Sequence, residues 1–402
     1  MLIFTENRNQ FNPLMHKISM FAAAAALLAS CAPARNAFVI NGNIRALPDS
    51  TEILLYSVRD DGLMQVVDTA LSENGKFVLE CAPDSAQELS IVARSFGSSL
   101  LTVYAEPGEK AGISGDAGNV MLWKVRSRVP EQREYNRYLE NVWTEIGEQA
   151  RLREEIDSLG NMLYGMDDRG TDEAKALLNL VRKCREREDS VVKVRYDKTL
   201  DLLAASKVSR ISTEELSDII RMIGYYPEKY GELRDRAAEQ YERLSDEVKA
   251  SPEGRDMKAF LSVTDRVKVG DRFFDGEFRD LDGGTHRLSD YLGKYILLDF
   301  WAFWCGPCRM SMPELKSLAE QYGDRVNFIS LSEDPDEQWR EASEEHGISW
   351  NNFNYGDDLA FKLTYDVSGV PSYFIISPEG VIVDSWAGYS EGVIRERLAK
   401  FL

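Results

Sequence analysis

The chain of 402 residues carries 67 acidic against 48 basic side chains, for a formal net charge of -19 and a sequence pI near 4.8. That balance excludes a general nucleic-acid role and an electrostatic grip on anionic lipid, because both need clustered cations. With 44% hydrophobic residues, the chain is long enough for two or three domains with cores of their own.

Residues 1–30 read as a signal peptide of the lipoprotein type. Lys17 supplies a cation, Met20 to Leu28 is an apolar run too short to span a bilayer as an ordinary helix, and small residues follow. Leu28-Ala29-Ser30-Cys31 resembles a bacterial lipobox, which implies cleavage before Cys31 and acylation of that cysteine. The expectation is an exported protein of the cell envelope, periplasm-facing or at the surface, held on a membrane by a lipid anchor at Cys31. Several acyl chains, at about 0.8 kcal/mol per buried CH2, make such anchoring stable.

From 36 to 116 the pattern is short strands broken by turns: 37–40, 52–56, 65–69, 75–79 and 89–92 are strand-like, with Asn41-Gly42, Asp61-Gly62, Asn74-Gly75 and Pro107-Gly108 as turns. This predicts an all-β sandwich or meander. Cys81 shares strand parity with Phe77 and Leu79.

Residues 130–265 change to long charged helices. Tyr135, Tyr138, Leu139, Val142 and Ile146 fall on one face, as do Leu177, Leu180, Val181, Cys184 and Val191. Gly160 and the stretch from Gly165 to Gly170 are expected to divide a first helix from a second, and Ser212-Thr213-Glu214-Glu215 to cap another. Cys81 and Cys184 are expected to be buried core thiols rather than a bridge.

Residues 267–402 alternate strands and helices. Tyr295 to Phe300 is nearly all apolar and reads as a strand buried on both faces of a sheet. Beyond it, Cys305-Gly306-Pro307-Cys308 opens a helix marked by Met312, Leu315, Leu318, Ala319 and Tyr322. Pro307 suits a first helical turn, and the exposed N–H groups there favour a thiolate at Cys305. A zinc site built on this pair lacks its other ligands, since only His346 and no cysteine follows Cys308. No metal or cofactor is expected. Val326 to Leu331 is a second buried strand, Phe374 to Val383 a hairpin, and Glu391 to Leu402 a closing helix. The carboxylates Glu333 and Asp334 follow the second strand and read as solvated loop residues.

These motifs resemble the thioredoxin-fold domain of the TlpA-like thiol-disulfide oxidoreductases, which are AhpC/TSA-related. Asp299, six residues before Cys305, matches the family's buried carboxylate; Pro313 matches the proline of its active-site helix; Gly369 to Ile376 matches the segment with its cis-proline, Pro371. The resemblance implies Cys305 as nucleophile, Cys308 as resolving thiol in a redox-active disulfide, Asp299 as the aid to proton transfer, and Pro371 as a backbone contact. Trp304, Gly306, Pro307 and Val370 would line the substrate surface. Ser311 stands where many relatives of cytochrome c maturation carry glutamate, which argues against a haem-apoprotein substrate. The β region is similar to an N-terminal domain of unknown function that precedes such domains in lipoproteins.

The sequence thus predicts a multidomain protein: an N-terminal all-β sandwich or meander, a central α-helical segment, and a C-terminal α/β thioredoxin fold. Its expected function is reduction of protein disulfides by dithiol exchange, with disulfide-containing clients and a thiol-reducing membrane electron donor as partners. The alternatives are a disulfide oxidant or isomerase, and a client-binding lipoprotein with a redox-responsive thiol pair. A peroxidase is disfavoured by Ala302, where related peroxidases carry threonine.

Overall fold

The computed structural model describes residues 36–59, 63–94, 100–166, 168–356 and 358–402. The signal peptide expected over 1–30, Cys31 and the Asp61-Gly62 turn lie outside the described residues. The chain forms two compact units, one ending at Glu215 and the other spanning Leu216–Leu402. The helical stretch expected over 130–265 therefore contributes to both.

The first unit opens with β1 (Phe38–Arg45), β2 (Glu52–Val58), β3 (Met64–Leu71), β4 (Lys76–Cys81), β5 (Gln87–Ala93), β6 (Leu101–Ala105), β7 (Lys110–Asp116) and β8 (Lys124–Ser127). They form two four-stranded sheets, ordered β4-β1-β7-β8 and β3-β2-β5-β6. β1 and β7 run parallel, which a succession of hairpins cannot produce, so the meander alternative is excluded. Asn41-Gly42 is not a turn but the middle of β1, where Gly42 lies opposite Phe77. Ring atoms of Phe77 stand 2.2 Å from where a Cβ would be, so the glycine makes room for an aromatic. Asn74-Gly75 does turn, with φ of 50° and 75°. The β region runs past residue 116 because β8 pairs with β7 and buried Trp123 donates from Nε1 to the Asp116 carbonyl at 2.9 Å.

The helices α1 (Pro130–Asn141), α2 (Trp143–Tyr164), α3 (Asp172–Ala205) and α4 (Arg210–Tyr225) follow. Buried Gln132 of α1 accepts the Tyr104 N–H at 2.8 Å, covering an amide on the sheet-edge strand β6. Gly160 lies inside α2 rather than ending it; one interior glycine costs about 1 kcal/mol, which the packing of α2 on α3 outweighs. Leu180 is exposed, because the small Leu163, Ala174 and Leu177 cluster takes Val181 on the next turn instead. α4 starts before Ser212, with the Ser209 hydroxyl accepting the Ser212 N–H at 3.0 Å. Among the described residues Cys81 and Cys184 form no disulfide, and both are only half-buried rather than the buried core thiols expected; burial pushes the Cys81 thiol up to about 11.

In the second unit α5 (Pro227–Tyr230), α6 (Arg234–Glu242), α7 (Asp246–Ala250) and α8 (Pro252–Ser262) precede β9 (Glu277–Arg279), β10 (Thr285–Arg287) and β11 (Tyr295–Trp301). Then come α9 (Gly306–Tyr322), β12 (Val326–Ser332), α10 (Asp336–Glu345), β13 (Asn351–Asn354), α11 (Leu359–Thr364), β14 (Ser372–Ile376), β15 (Ile382–Ala387) and α12 (Val393–Leu398). The closing helix is shorter than expected. The sheet order is β10-β9-β13-β12-β11-β14-β15, with β11 parallel to β12 and antiparallel to β14.

Each face of this sheet carries its own core, and β11 feeds both by strand alternation. Ile296, Leu298 and Phe300 pack with Phe361 of α11 and with Tyr365, the residue that caps its C-terminus. Leu297 and Trp301 pack with Met312, Leu315 and Leu318 of α9, Trp339 of α10 and Ile394 of α12. The fold is a mixed α/β sandwich with β11 as an interior strand between β12 and β14.

Candidate redox site

β11 ends at Trp301, and Cys305 is the N-cap of α9. The Cys308 N–H points at the Cys305 sulfur, 3.2 Å away, so the sulfur takes up one of the amides that a helix start leaves without a partner. The two cysteines are disulfide-bonded, with Cα atoms 5.3 Å apart. Cys308 is fully buried and Cys305 is 3% exposed, whereas Gly306 and Pro307 are exposed and Trp304 is 65% exposed. Trp301 points the other way, into the α9 core. Ser311 is buried and donates to the Cys308 carbonyl at 2.7 Å, and Pro313 sits within α9.

Asp299 shares strand parity with Leu297 and Trp301, so it belongs to the face of β11 covered by the cysteines and α9. Its Oδ2 accepts the Ser330 hydroxyl at 3.0 Å, and Trp350 Nε1 in turn donates to Ser330 at 2.8 Å. Oδ1 is buried without a hydrogen-bond partner among the described residues. Burial raises the carboxyl to about 7, against the opposing pull of the Ser330 hydrogen bond.

The Val370–Pro371 peptide bond is cis. Pro371 accepts the Gly388 N–H at 2.8 Å, which ties the turn to the end of β15, and half-buried Val370 packs against both cores. Among the described residues no hydrogen bond uses the Val370 N–H or carbonyl.

Asp334 is not the solvated loop residue that its place after β12 predicts. Its buried carboxylate accepts the Phe303 N–H at 2.7 Å and the Ser332 hydroxyl at 2.8 Å, while Asn354 donates to its carbonyl at 2.8 Å. The turn that presents Trp304 and Cys305 is thereby fastened to the end of β12. The readable signal was the pairing of neighbouring parallel strands: Trp301 and Ser332 are register partners, so the residues just after each must meet. Burial pushes the Asp334 carboxyl up, opposed by these hydrogen bonds. Glu333 is partly exposed and pairs with Lys362 and the Tyr355 hydroxyl.

His286 binds Asp280 at 2.7 Å and His346 caps α10. Among the described residues no cluster of His, Cys, Asp or Glu is placed to hold a metal ion, and no helix is long and apolar enough to cross a membrane.

A strand-helix junction bearing a C-x-x-C disulfide, a buried carboxylate behind it and a neighbouring cis-proline define a thioredoxin-fold dithiol protein. Comparison with known proteins agrees. Residues 269–385 match the AhpC/TSA family, and residues 38–126 match a domain of unknown function, DUF4369. The thioredoxin-like protein YneN of Bacillus subtilis is 32% identical over 127 residues, 30% of this chain and 73% of that protein. The thiol-disulfide oxidoreductase ResA of Geobacillus kaustophilus is 31% identical over 126 residues, 31% of this chain and 71% of that protein. Among solved structures, the thioredoxin domain of a thiol-disulfide oxidoreductase from Bacteroides vulgatus, 28% identical, covers 34% of this chain and 98% of its own at a TM-score of 0.32. The chain belongs to the AhpC/TSA-related, thioredoxin-like thiol-disulfide oxidoreductases.

Proposed function

We propose that the protein is an envelope-anchored reductase of protein disulfides. The observation that carries the dithiol-exchange part of this reading is the cysteine pair at the N-terminus of α9, with buried Asp299, held near 7, on the face of β11 that the pair covers. In the reduced protein the Cys305 thiolate attacks one sulfur of a client disulfide, forming a mixed disulfide and releasing the first client thiolate. Asp299 takes the proton of the Cys308 thiol, which attacks Cys305, expels the second client thiolate and leaves the Cys305–Cys308 disulfide. Two electrons pass to the client, and a thiol-reducing membrane protein restores them. Val370, with its unused peptide groups, and Pro371 receive the client backbone beside Trp304, Gly306 and Pro307. Cys31, acylated after removal of residues 1–30, would hold this site at the envelope membrane.

The test is the reduction potential of the full-length protein, set by equilibration in glutathione buffers with thiols counted by mass. A value near the thioredoxin figure of about -270 mV supports the reductase reading; one near about -120 mV identifies an oxidant or isomerase and overturns it. Disulfide reduction that persists in Cys305→Ser would refute the dithiol assignment altogether.

A further inference from the structure

Beside the dithiol, within the second unit, lies a cleft of about 700 Å³. One wall is α8, through Asp256 and Ala259; the other is the loop after β12 with the start of α11; Phe303 and Trp304, the two residues before Cys305, complete it. Its volume is within the range of ligand-binding clefts, roughly 300–1,000 Å³. The wall from α8 lies outside residues 269–385, the segment that matches the AhpC/TSA family.

The charges lining the cleft are unequal. Among the described residues that line it, Asp256, Glu333, Asp334 and Asp358 face Arg255 and Lys362. Lys362 is committed to both oxygens of Glu333, at 2.6 and 2.7 Å, and Arg255 donates to the Ala250 carbonyl at 2.7 Å. Asp334 is taken up by Phe303 and Ser332. Two carboxylates are left over: that of exposed Asp256 makes no hydrogen bond or ion pair among the described residues, and that of Asp358 spends one oxygen on the Phe361 N–H at 3.0 Å. Trp304 adds an aromatic face that is 65% exposed.

A polypeptide whose sulfur is joined to Cys305 carries its neighbouring residues past Trp304, since three extended residues reach about 10 Å. Surplus carboxylates beside an aromatic face attract a cation through charge pairing and cation–π contact, and repel an acidic segment. We propose that this cleft receives the client chain next to its reactive cysteine and selects a basic side chain there, held by Asp256, Asp358 and Trp304. This rests on the reading of Cys305 and Cys308 as a protein-disulfide site.

The experiment uses the reduced full-length protein in single-turnover mixing, followed by tryptophan fluorescence. The substrates are synthetic peptides with one cysteine held as a mixed disulfide with 2-mercaptoethanol and either two lysines or two glutamates within three residues of it. Each rate constant is divided by that for uncharged 2-hydroxyethyl disulfide. The lysine peptide should react about tenfold faster than the glutamate peptide at low ionic strength, with the ratio shrinking in salt. Asp256→Lys should bring the ratio to about one, and Asp256→Asn and Asp358→Asn should each lower it. Glu396→Lys, the same charge change at an exposed position of α12 that does not line the cleft, should retain it. Equal rates in the unaltered protein, or the same ratio in Asp256→Lys and Glu396→Lys, would overturn the cleft assignment alone. Failure of the unaltered protein to reduce 2-hydroxyethyl disulfide would instead sink the dithiol reading and this proposal with it.

Discussion

Asp299→Asn offers the sharpest test of the site, because it separates stability from chemistry. The carboxyl is 1% exposed, and its folded-state value is raised from the ordinary 3.8 to about 7 by burial. For a raised carboxyl, the folded state binds the proton more tightly than the unfolded chain. Its contribution to stability is therefore fully present below pH 3.8 and is lost as pH rises towards 7. At about 1.4 kcal/mol for each pH unit, the rise from 3.8 to about 7 amounts to about 4 kcal/mol. About 3 kcal/mol of this falls between pH 5 and pH 8. Asparagine keeps an acceptor for Ser330 but never ionises, so the variant should gain about 3 kcal/mol on the unaltered oxidised protein over that interval. Urea unfolding at the two pH values, followed by tryptophan fluorescence, measures the difference; five of the seven tryptophans lie at or beyond Trp301. Other groups titrate alike in both proteins and cancel. On the proposed role of Asp299, the same variant should slow attack by Cys308 on the mixed disulfide about 100-fold. A stability difference that is the same at pH 5 and pH 8 would refute the buried-carboxylate argument.

Three further outcomes follow from named contacts. Cys308→Ser should trap a client as a mixed disulfide on Cys305, seen as a mass increase that dithiothreitol reverses; a client attached through any other residue would contradict the assignment of Cys305 as nucleophile. Asp334→Ala strips the Phe303 N–H of its acceptor and should cost about 1–3 kcal/mol in denaturant unfolding while altering the Cys305–Cys308 potential; an unchanged potential would mean that the fastening of this turn is structural only. Gly42→Ala places a methyl group against the Phe77 ring and should destabilise the β region by about 1–3 kcal/mol, checked by its thermal transition; a neutral effect would show that the ring moves aside freely.

Much of the candidate redox site was legible because its parts are local. The apolar run of β11, the C-x-x-C spacing and the apolar stripe of α9 need only strand and helix periodicity to be read, and the N-cap position of Cys305 follows from where one pattern yields to the other. Asp334 was not legible in that way. Its carboxylate meets Phe303, 31 residues earlier in the chain, only because β11 and β12 are parallel neighbours in one register. Asn41-Gly42 misled for the same reason: the dipeptide is a turn signal in isolation, but Phe77 across the sheet requires a residue without a Cβ in the middle of β1.

The sequence by itself therefore determined the class, a thioredoxin-like thiol-disulfide oxidoreductase, and the local C-x-x-C pair at its candidate site. A dithiol at a helix start has its reactivity set by backbone amides within one turn, and those travel with the local segment. The tertiary structure decided what surrounds that chemistry. Which oxygen of Asp299 is left unpaired, how far its carboxyl is raised, how the cysteine-bearing turn is fastened and which charges line the cleft beside Trp304 all depend on β12, α8 and α11. Hydrogen bonds, desolvation and charge pairing act over a few ångströms of space, and only the folded chain brings residues distant in sequence that close together.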